Sequence, residues 1–162
     1  MPEESLIRAL LLPELSLVSF RRVPDSRVVE VVARKVPKEE YCPHCATKST
    51  TGYDRRRVRL KDEPFRGLRV WLIVEKRRLL CRPCGKVFTE PLDWARKGFR
   101  HTRRYAYAAL RACERYSDLL HVRRDLKCSA GWLYSTLYAQ LELERRKRLY
   151  PWPVKVGIDE HY

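Results

Sequence analysis

Two hydrophobic periods alternate along this chain, and the places where one gives way to the other divide it. "LSLVSF" and "SRVVEVVARKV" are β-branched runs separated by "RRVPD", which predicts a β-hairpin within residues 1–40, after a short helix-like start. Further on, "YDRRRVRLKDEP" alternates with period two, so Tyr53, Arg55, Arg57, Arg59 and Lys61 share one strand face. "EPFRG" then makes a turn and "LRVWLIVEKRRLL" returns as an apolar strand. From Arg103 the period lengthens. Tyr105, Ala108, Ala109, Ala112, Cys113 and Tyr116 follow i, i+3, i+4, i+7, i+8, i+11, the buried stripe of a helix. Ser117 is placed to cap a second, short helix, "DLLHVRRDL", whose Leu119, Val122 and Leu126 face inward. Ser129 is placed to cap a third, "AGWLYSTLYAQLELERRKR", with Leu133, Leu137 and Leu141 at i, i+4, i+8. Residues 150–162 regain strand character after Pro151 and Pro153.

Cysteines bracket the second zone, residues 41–92. "CPHC" supplies Cys42 and Cys45, and "CRPCG" supplies Cys81 and Cys84. Two short C-x-x-C loops, each turning a pair of thiolates toward one ion, suit a closed tetrahedral Zn2+ site of structural kind. The 35 residues between Cys45 and Cys81 hold a hairpin and a return strand, the layout of a zinc ribbon. Six cysteines also permit a disulfide framework, and a C-x-x-C can be a redox motif. A reducing cytosol argues against the first, and the doubling of the pair against the second. His44, between two better-placed ligands, is read as a bystander. Ala46 stands where the second pair has Gly85, so the first turn should be the less relaxed. Cys113 falls at helical core spacing and is read as a buried thiol, and Cys128, which precedes a helix cap, is read as core as well.

Charge changes the picture most. The chain of 162 residues carries 35 Lys and Arg against 20 Asp and Glu, a formal net charge of +15, which favours a polyanionic partner. The row Arg55, Arg57, Arg59 and Lys61 is self-repulsive without an anion and reads as a phosphate rail, unless Asp54, Asp62 and Glu63 balance it as a solvated face. The first long helix adds a cationic strip at Arg104, Tyr107, Arg111 and Arg115. The apolar patch "LIRALLLPELSL" is too short and broken to span a membrane, and no cleavage site follows it. The expected location is therefore cytoplasmic and nucleoid-associated, with double-stranded DNA as partner and no membrane.

A helix, a tight turn and a capped third helix within residues 99–149 match a helix-turn-helix, although any three-helix bundle gives similar periodicity. Its groove-facing candidates are Ala130, Gly131, Tyr134 and Ser135, none of which reads bases bidentately. Affinity would then rest on phosphate contacts from Arg123, Arg124 and Lys127 near the turn and from Arg145 and Arg146 at the far end. Those last also suit a helix C-terminus.

The order "CPHC", "RRRVRLKDEPFRGLRVWLIVEKRRLLCRPCGKVFTE", "HTRRYAYAALRACERYSDLLHVRRDLKCSAGWLYSTL" and "VGIDEH" resembles the front half of an insertion-sequence transposase of the ISL-three type. That family joins a zinc ribbon and a helix-turn-helix to an Asp-Asp-Glu catalytic domain. The resemblance implies binding to terminal inverted repeats, and makes Asp159 the first of three acids on a ribonuclease-H-like sheet that uses Mg2+. The resulting expectation is an α+β chain: an N-terminal hairpin (1–40), a zinc ribbon (41–92), a helix-turn-helix bundle (99–149) and the stub of a ribonuclease-H-like first strand (150–162). It would bind DNA without being an enzyme, alone, as a homodimer, or in association with full-length transposase. A stand-alone DNA-binding regulator and a zinc-ribbon protein–protein adaptor are the alternatives.

Overall fold

The computed structural model describes Ser5 and residues 12–37, 39–95 and 98–147. The helix-like start expected at the N-terminus falls largely, and the strand expected at 150–162, with Asp159, wholly, outside the described residues. β1 (Leu15–Val23) and β2 (Val28–Lys35) form the expected antiparallel hairpin, closed at Val23 and Val28. β3 (Glu40–Tyr41) and β4 (Lys48–Ser49) make a separate two-stranded sheet. β5 (Gly52–Phe65) and β6 (Leu68–Leu80) are the long basic and apolar strands. Arg66 and Gly67 join them, both at positive φ, as a two-residue hairpin turn of the primed kind requires. β7 (Val87–Thr89) pairs with the last residues of β6.

The sheet order is β1-β2-β6-β5, with β2 parallel to β6 from Val28↔Arg69 to Arg34↔Glu75. The boundary expected between residues 40 and 41 therefore separates no sheets. The N-terminal hairpin adds directly to the ribbon's long hairpin, because β2 offers an apolar face that β6 alone cannot cover. Leu15, Val31, Ala33, Leu60, Leu72 and Val74 point to that side and close on Trp94. Period-two alternation sends their neighbours to the opposite face.

Three helices follow: α1 (Arg103–Arg115), α2 (Leu119–Leu126) and α3 (Ala130–Lys147). Tyr105, Ala109, Ala112, Val122, Leu126 and Leu133 are their shared core. Asp118, not Ser117, caps α2: its carboxylate accepts the His121 N–H at 2.7 Å and also meets the His121 ring at 2.7 Å. A carboxylate that reaches both groups outcompetes a hydroxyl one residue earlier. Ser129 caps α3 as expected, accepting the Trp132 N–H at 3.3 Å. The stripe expected on α3 is buried at Leu133, partly covered at Leu137 and open at Leu141, which is 61% exposed. Eighteen residues of α3 outrun the thirteen of α1 and eight of α2, so the distal turns find nothing to pack on.

Three consecutive residues of β5 hold the helices to the sheet. Lys61 donates from Nζ to the Lys127 carbonyl (2.6 Å), and its backbone pairs with Arg100 and Thr102. Asp62, 4% exposed, accepts from the Thr102 hydroxyl at 2.6 Å and pairs with Arg104. Glu63 pairs with Arg111. Thr102 in turn caps α1 by accepting the Tyr105 N–H at 3.1 Å, so one buried carboxylate fixes the start of the helical unit.

Candidate metal centre and nucleic-acid interface

The two C-x-x-C loops fold alike. In the first, Ala46 N–H donates to Cys42 O (2.8 Å) and Cys42 N–H to Thr47 O (2.9 Å). In the second, Gly85 N–H donates to Cys81 O (2.8 Å) and Cys81 N–H to Lys86 O (2.9 Å). Each turn needs a left-handed residue after its second cysteine, and Ala46 (φ 56°) and Gly85 (φ 67°) supply it. The sequence marked Ala46 as the less relaxed position, and that is where an L-residue bears positive φ.

The loops bring four sulfurs together, all within 4.8 Å of one another. Cys42 and Cys84 lie 3.7 Å apart, Cys45 and Cys81 3.4 Å. A tetrahedron with Zn–S bonds of about 2.3 Å has edges near 3.8 Å, so the set fits one ion; a disulfide would need sulfurs at about 2.05 Å. Thr47, through its hydroxyl and its N–H, holds the Cys45 thiol down to about 6. Cys81, although the Cys84 N–H pulls it down, is pushed up to about 12 by burial and the neighbouring thiols. Four thiols this close cannot all ionise without a cation among them, and a divalent ion supplies that charge. Leu79 and Phe88 seal the cluster on its protein side. These cysteines are the ligands of one structural Zn2+, with no position open for chemistry. His44 is exposed beside them, and Cys113 and Cys128 pack partly buried against the helical core.

The cationic candidates divide by partner. On β5, Arg57 pairs with Glu75 and Arg59 with Glu30, while Arg55 is exposed. The local acids expected to balance the rail are engaged elsewhere: Asp54 with Arg78, Asp62 with Arg104, Glu63 with Arg111. The balancing carboxylates come instead from β2 and β6, strands that only the folded register sets beside β5. Lys61 is half-buried, its Nζ 5.8 Å from the Trp71 ring centre, and its amine is held down by desolvation and by Arg69. Arg104 and Arg111 serve the sheet–helix junction, and Arg145 and Arg146 both pair with Glu142.

At the turn between α2 and α3, Arg124 and Lys127 are exposed and hold no carboxylate among the described residues, with Arg123 half-buried beside them. Gly131, Tyr134 and Ser135 are exposed on the start of α3, and Ala130 is half-buried. Trp132 turns the other way, its ring 5.0 Å from those of His101 and Tyr105. Trp132 is therefore an anchor, which leaves Gly131, Tyr134 and Ser135 facing out. Sequence reasoning missed Arg21, Arg34, Glu30 and Glu75; the alternation of β1 and β2 carried a signal for them, but no face of that hairpin could be assigned.

Residues 38–84 match the family model described as the zinc-finger of transposase IS204/IS1001/IS1096/IS1165, which accounts for under a third of the chain. That segment is a zinc ribbon of this transposase type, and its match begins before the first knuckle and ends on the last ligand. No curated protein and no solved structure matches the chain. Among the described residues, no helix is long and apolar enough to cross a membrane.

Proposed function

We propose that the chain is the DNA-binding part of an insertion-sequence transposase, in which α2 and α3 act as a helix-turn-helix beside the zinc ribbon. The observation that carries this reading is a juxtaposition. The exposed start of α3 (Gly131, Tyr134, Ser135) lies next to a turn whose Arg124 and Lys127 hold no carboxylate among the described residues, on a chain of net charge +15. The three-residue connection, Lys127 to Ser129, with Lys127 left-handed at φ 50°, is of the length such a motif uses. Gly131 and Ser135 leave room for a major groove on either side of Tyr134, and the neighbouring cations suit phosphates. With no Arg, Asn or Gln at the helix start, affinity is mostly electrostatic and discrimination between sequences is weak. The transposase-type ribbon supports a terminal-repeat target.

Asp159, by resemblance, is the first acid of the catalytic triad. A two-metal reaction needs several carboxylates around both ions, so Asp159 by itself would not support cutting. Site-specific nicking in Mg2+ that Asp159→Asn abolishes would overturn that part.

Fluorescence anisotropy with the element's terminal-repeat duplex tests the binding. Arg124→Gln/Lys127→Gln should weaken it and flatten the slope of log K on log[salt] by about 0.9 for each phosphate that the variant no longer neutralises. Binding that ignores salt would favour the protein–protein adaptor instead, a reading to which the exposed Tyr138, Leu141 and Leu143 of α3 lend some support.

A further inference from the structure

The face of the sheet opposite the apolar core carries an ordered array of arginines drawn from three strands. Arg57 of β5 and Arg34 of β2 lie on either side of Glu75 of β6 and take one carboxylate oxygen each. Arg57 donates to Oε1 from Nε (3.1 Å) and Nη2 (2.8 Å), and Arg34 to Oε2 from Nε (3.2 Å) and Nη2 (2.7 Å). Arg59 of β5 and Arg21 of β1 divide Glu30 of β2 in the same way. Arg59 Nη2 reaches Oε1 at 2.9 Å, while Arg21 reaches Oε2 from Nε at 2.8 Å and Nη2 at 2.7 Å. The two acids lie beneath, their side chains 12% and 11% exposed, and the four arginines stand above at 42–76%. Arg59 also lies over the Trp71 ring at 4.3 Å, which fixes its plane.

Four arginines on two carboxylates leave a surplus of positive charge on one flat face. The acids orient the guanidinium groups through one edge and leave Nη1 of each without a partner among the described residues. Forks held this way have already lost most of the rotamer freedom that binding would otherwise cost, and their free edges match phosphate oxygens. Spacings follow from the sheet: about 6.7 Å between Arg57 and Arg59 along β5, and about 9.6 Å across two strands from Arg57 to Arg34. The array is continuous with the helical unit through Lys61, on the same face, whose Nζ meets the Lys127 carbonyl at 2.6 Å.

We infer that this face is a second duplex-DNA contact, in which Arg21 and Arg34, with Arg57 and Arg59, grip the phosphate backbone that runs on from the helices, while Glu30 and Glu75 position them. The inference rests on the DNA-binding reading above. It extends the protein's footprint to strands β1 and β2, which lie before the matched zinc-ribbon segment.

The test compares Arg21→Gln/Arg34→Gln with Arg22→Gln/Lys86→Gln, which removes the same charge. Arg22 neighbours Arg21 but faces the opposite side of β1. Binding to a mixed-sequence duplex is measured between about 50 and 200 mM salt. The Arg21/Arg34 pair should flatten the log–log slope by about 1.8, so the wild type loses roughly tenfold more affinity across that range than the variant does. The control pair should leave the slope near wild type, and Arg21→Lys/Arg34→Lys should retain most of it. Should the glutamine pair fail to fold, phenylglyoxal labelling of the wild type serves, with Arg21 and Arg34 protected when duplex is present. Equal slopes for the two glutamine pairs, or equal labelling with and without DNA, overturn the inference and leave the helix-turn-helix reading standing. No DNA binding by the wild type overturns both.

Discussion

Ala46 and Gly85 hold equivalent places in the two zinc knuckles, and exchanging their chemistry makes a matched experiment. Each donates its N–H to the first cysteine's carbonyl at 2.8 Å, and each has positive φ. A left-handed conformation costs an L-residue about 1–2 kcal/mol through the clash of Cβ with the backbone. Ala46→Gly removes that strain and returns about 0.5–1 kcal/mol as extra freedom of the unfolded chain, for a net stabilisation of about 0.5–1 kcal/mol. A Cβ at Gly85 would meet nothing within 4 Å, so Gly85→Ala should cost the same backbone amount with the opposite sign and no steric addition. Because the folding of the knuckles and their zinc binding are one equilibrium, the difference appears as zinc affinity, about two- to fivefold tighter for Ala46→Gly and weaker for Gly85→Ala. Competition for zinc against a chromophoric chelator reads it directly, and urea denaturation at saturating zinc reads whatever part the apo knuckle retains. If Ala46→Gly weakens zinc binding while Gly85→Ala leaves it unchanged, the knuckles are not equivalent and the strain argument fails.

Chelation of zinc should release the knuckles but not the sheet. Amide exchange is expected to accelerate across residues 42–49 and 81–89, while Val31 and Leu72 stay protected, because β2–β6 pairing and the Trp94 core do not depend on the metal. Loss of protection at Val31 would contradict this. Lys35 and Glu40 form a buried pair at 2.6 Å, with Lys35 also bonded to Pro91 O (2.8 Å). Lys35→Met strands the carboxylate and should cost about 3–5 kcal/mol in chemical denaturation, much of it recovered in Lys35→Met/Glu40→Gln; a loss under about 1 kcal/mol would refute the burial argument. His101 is held below the ordinary imidazole range by burial and then by the Lys61 ammonium, so it stays neutral when the unfolded chain takes a proton. Its contribution is present above pH of about 6.5, the unfolded value, and is lost as pH falls from there through the lowered folded value. His101→Phe should flatten the stability profile there, and an NMR titration of His101 at or above free imidazole would sink the explanation.

The local features were legible in the sequence because each is set by neighbours along the chain. Both C-x-x-C knuckles, the N-terminal hairpin, the alternation of β5, the stripe of α1 short of Tyr116 (which caps the helix end and is 42% exposed) and the Ser129 cap follow from residue type and spacing over a few positions. Ala46 as the strained twin of Gly85 was readable for the same reason, since the two loops share one pattern. The exceptions were also local in origin: Ser117 and Asp118 both can cap α2, and only the geometry of His121 chose between them.

Pairings between distant strands were not legible. That β2 lies parallel to β6 depends on which apolar faces must close on Trp94, and no window of sequence contains both strands. From this pairing came the partners of the arginines: Glu30 and Glu75 sit beside Arg57 and Arg59 only because four strands register together, whereas the nearer Asp54, Asp62 and Glu63 are drawn to Arg78, Arg104 and Arg111. Lys61 likewise passed from a rail position to a clasp on the Lys127 carbonyl once the helices packed against β5. The sequence by itself determined the zinc ligands and the surplus of positive charge, since ligand spacing and composition are properties of the chain. The tertiary structure alone decided which of those charges are neutralised and which are presented, because an ion pair is made in space between groups that the chain holds far apart.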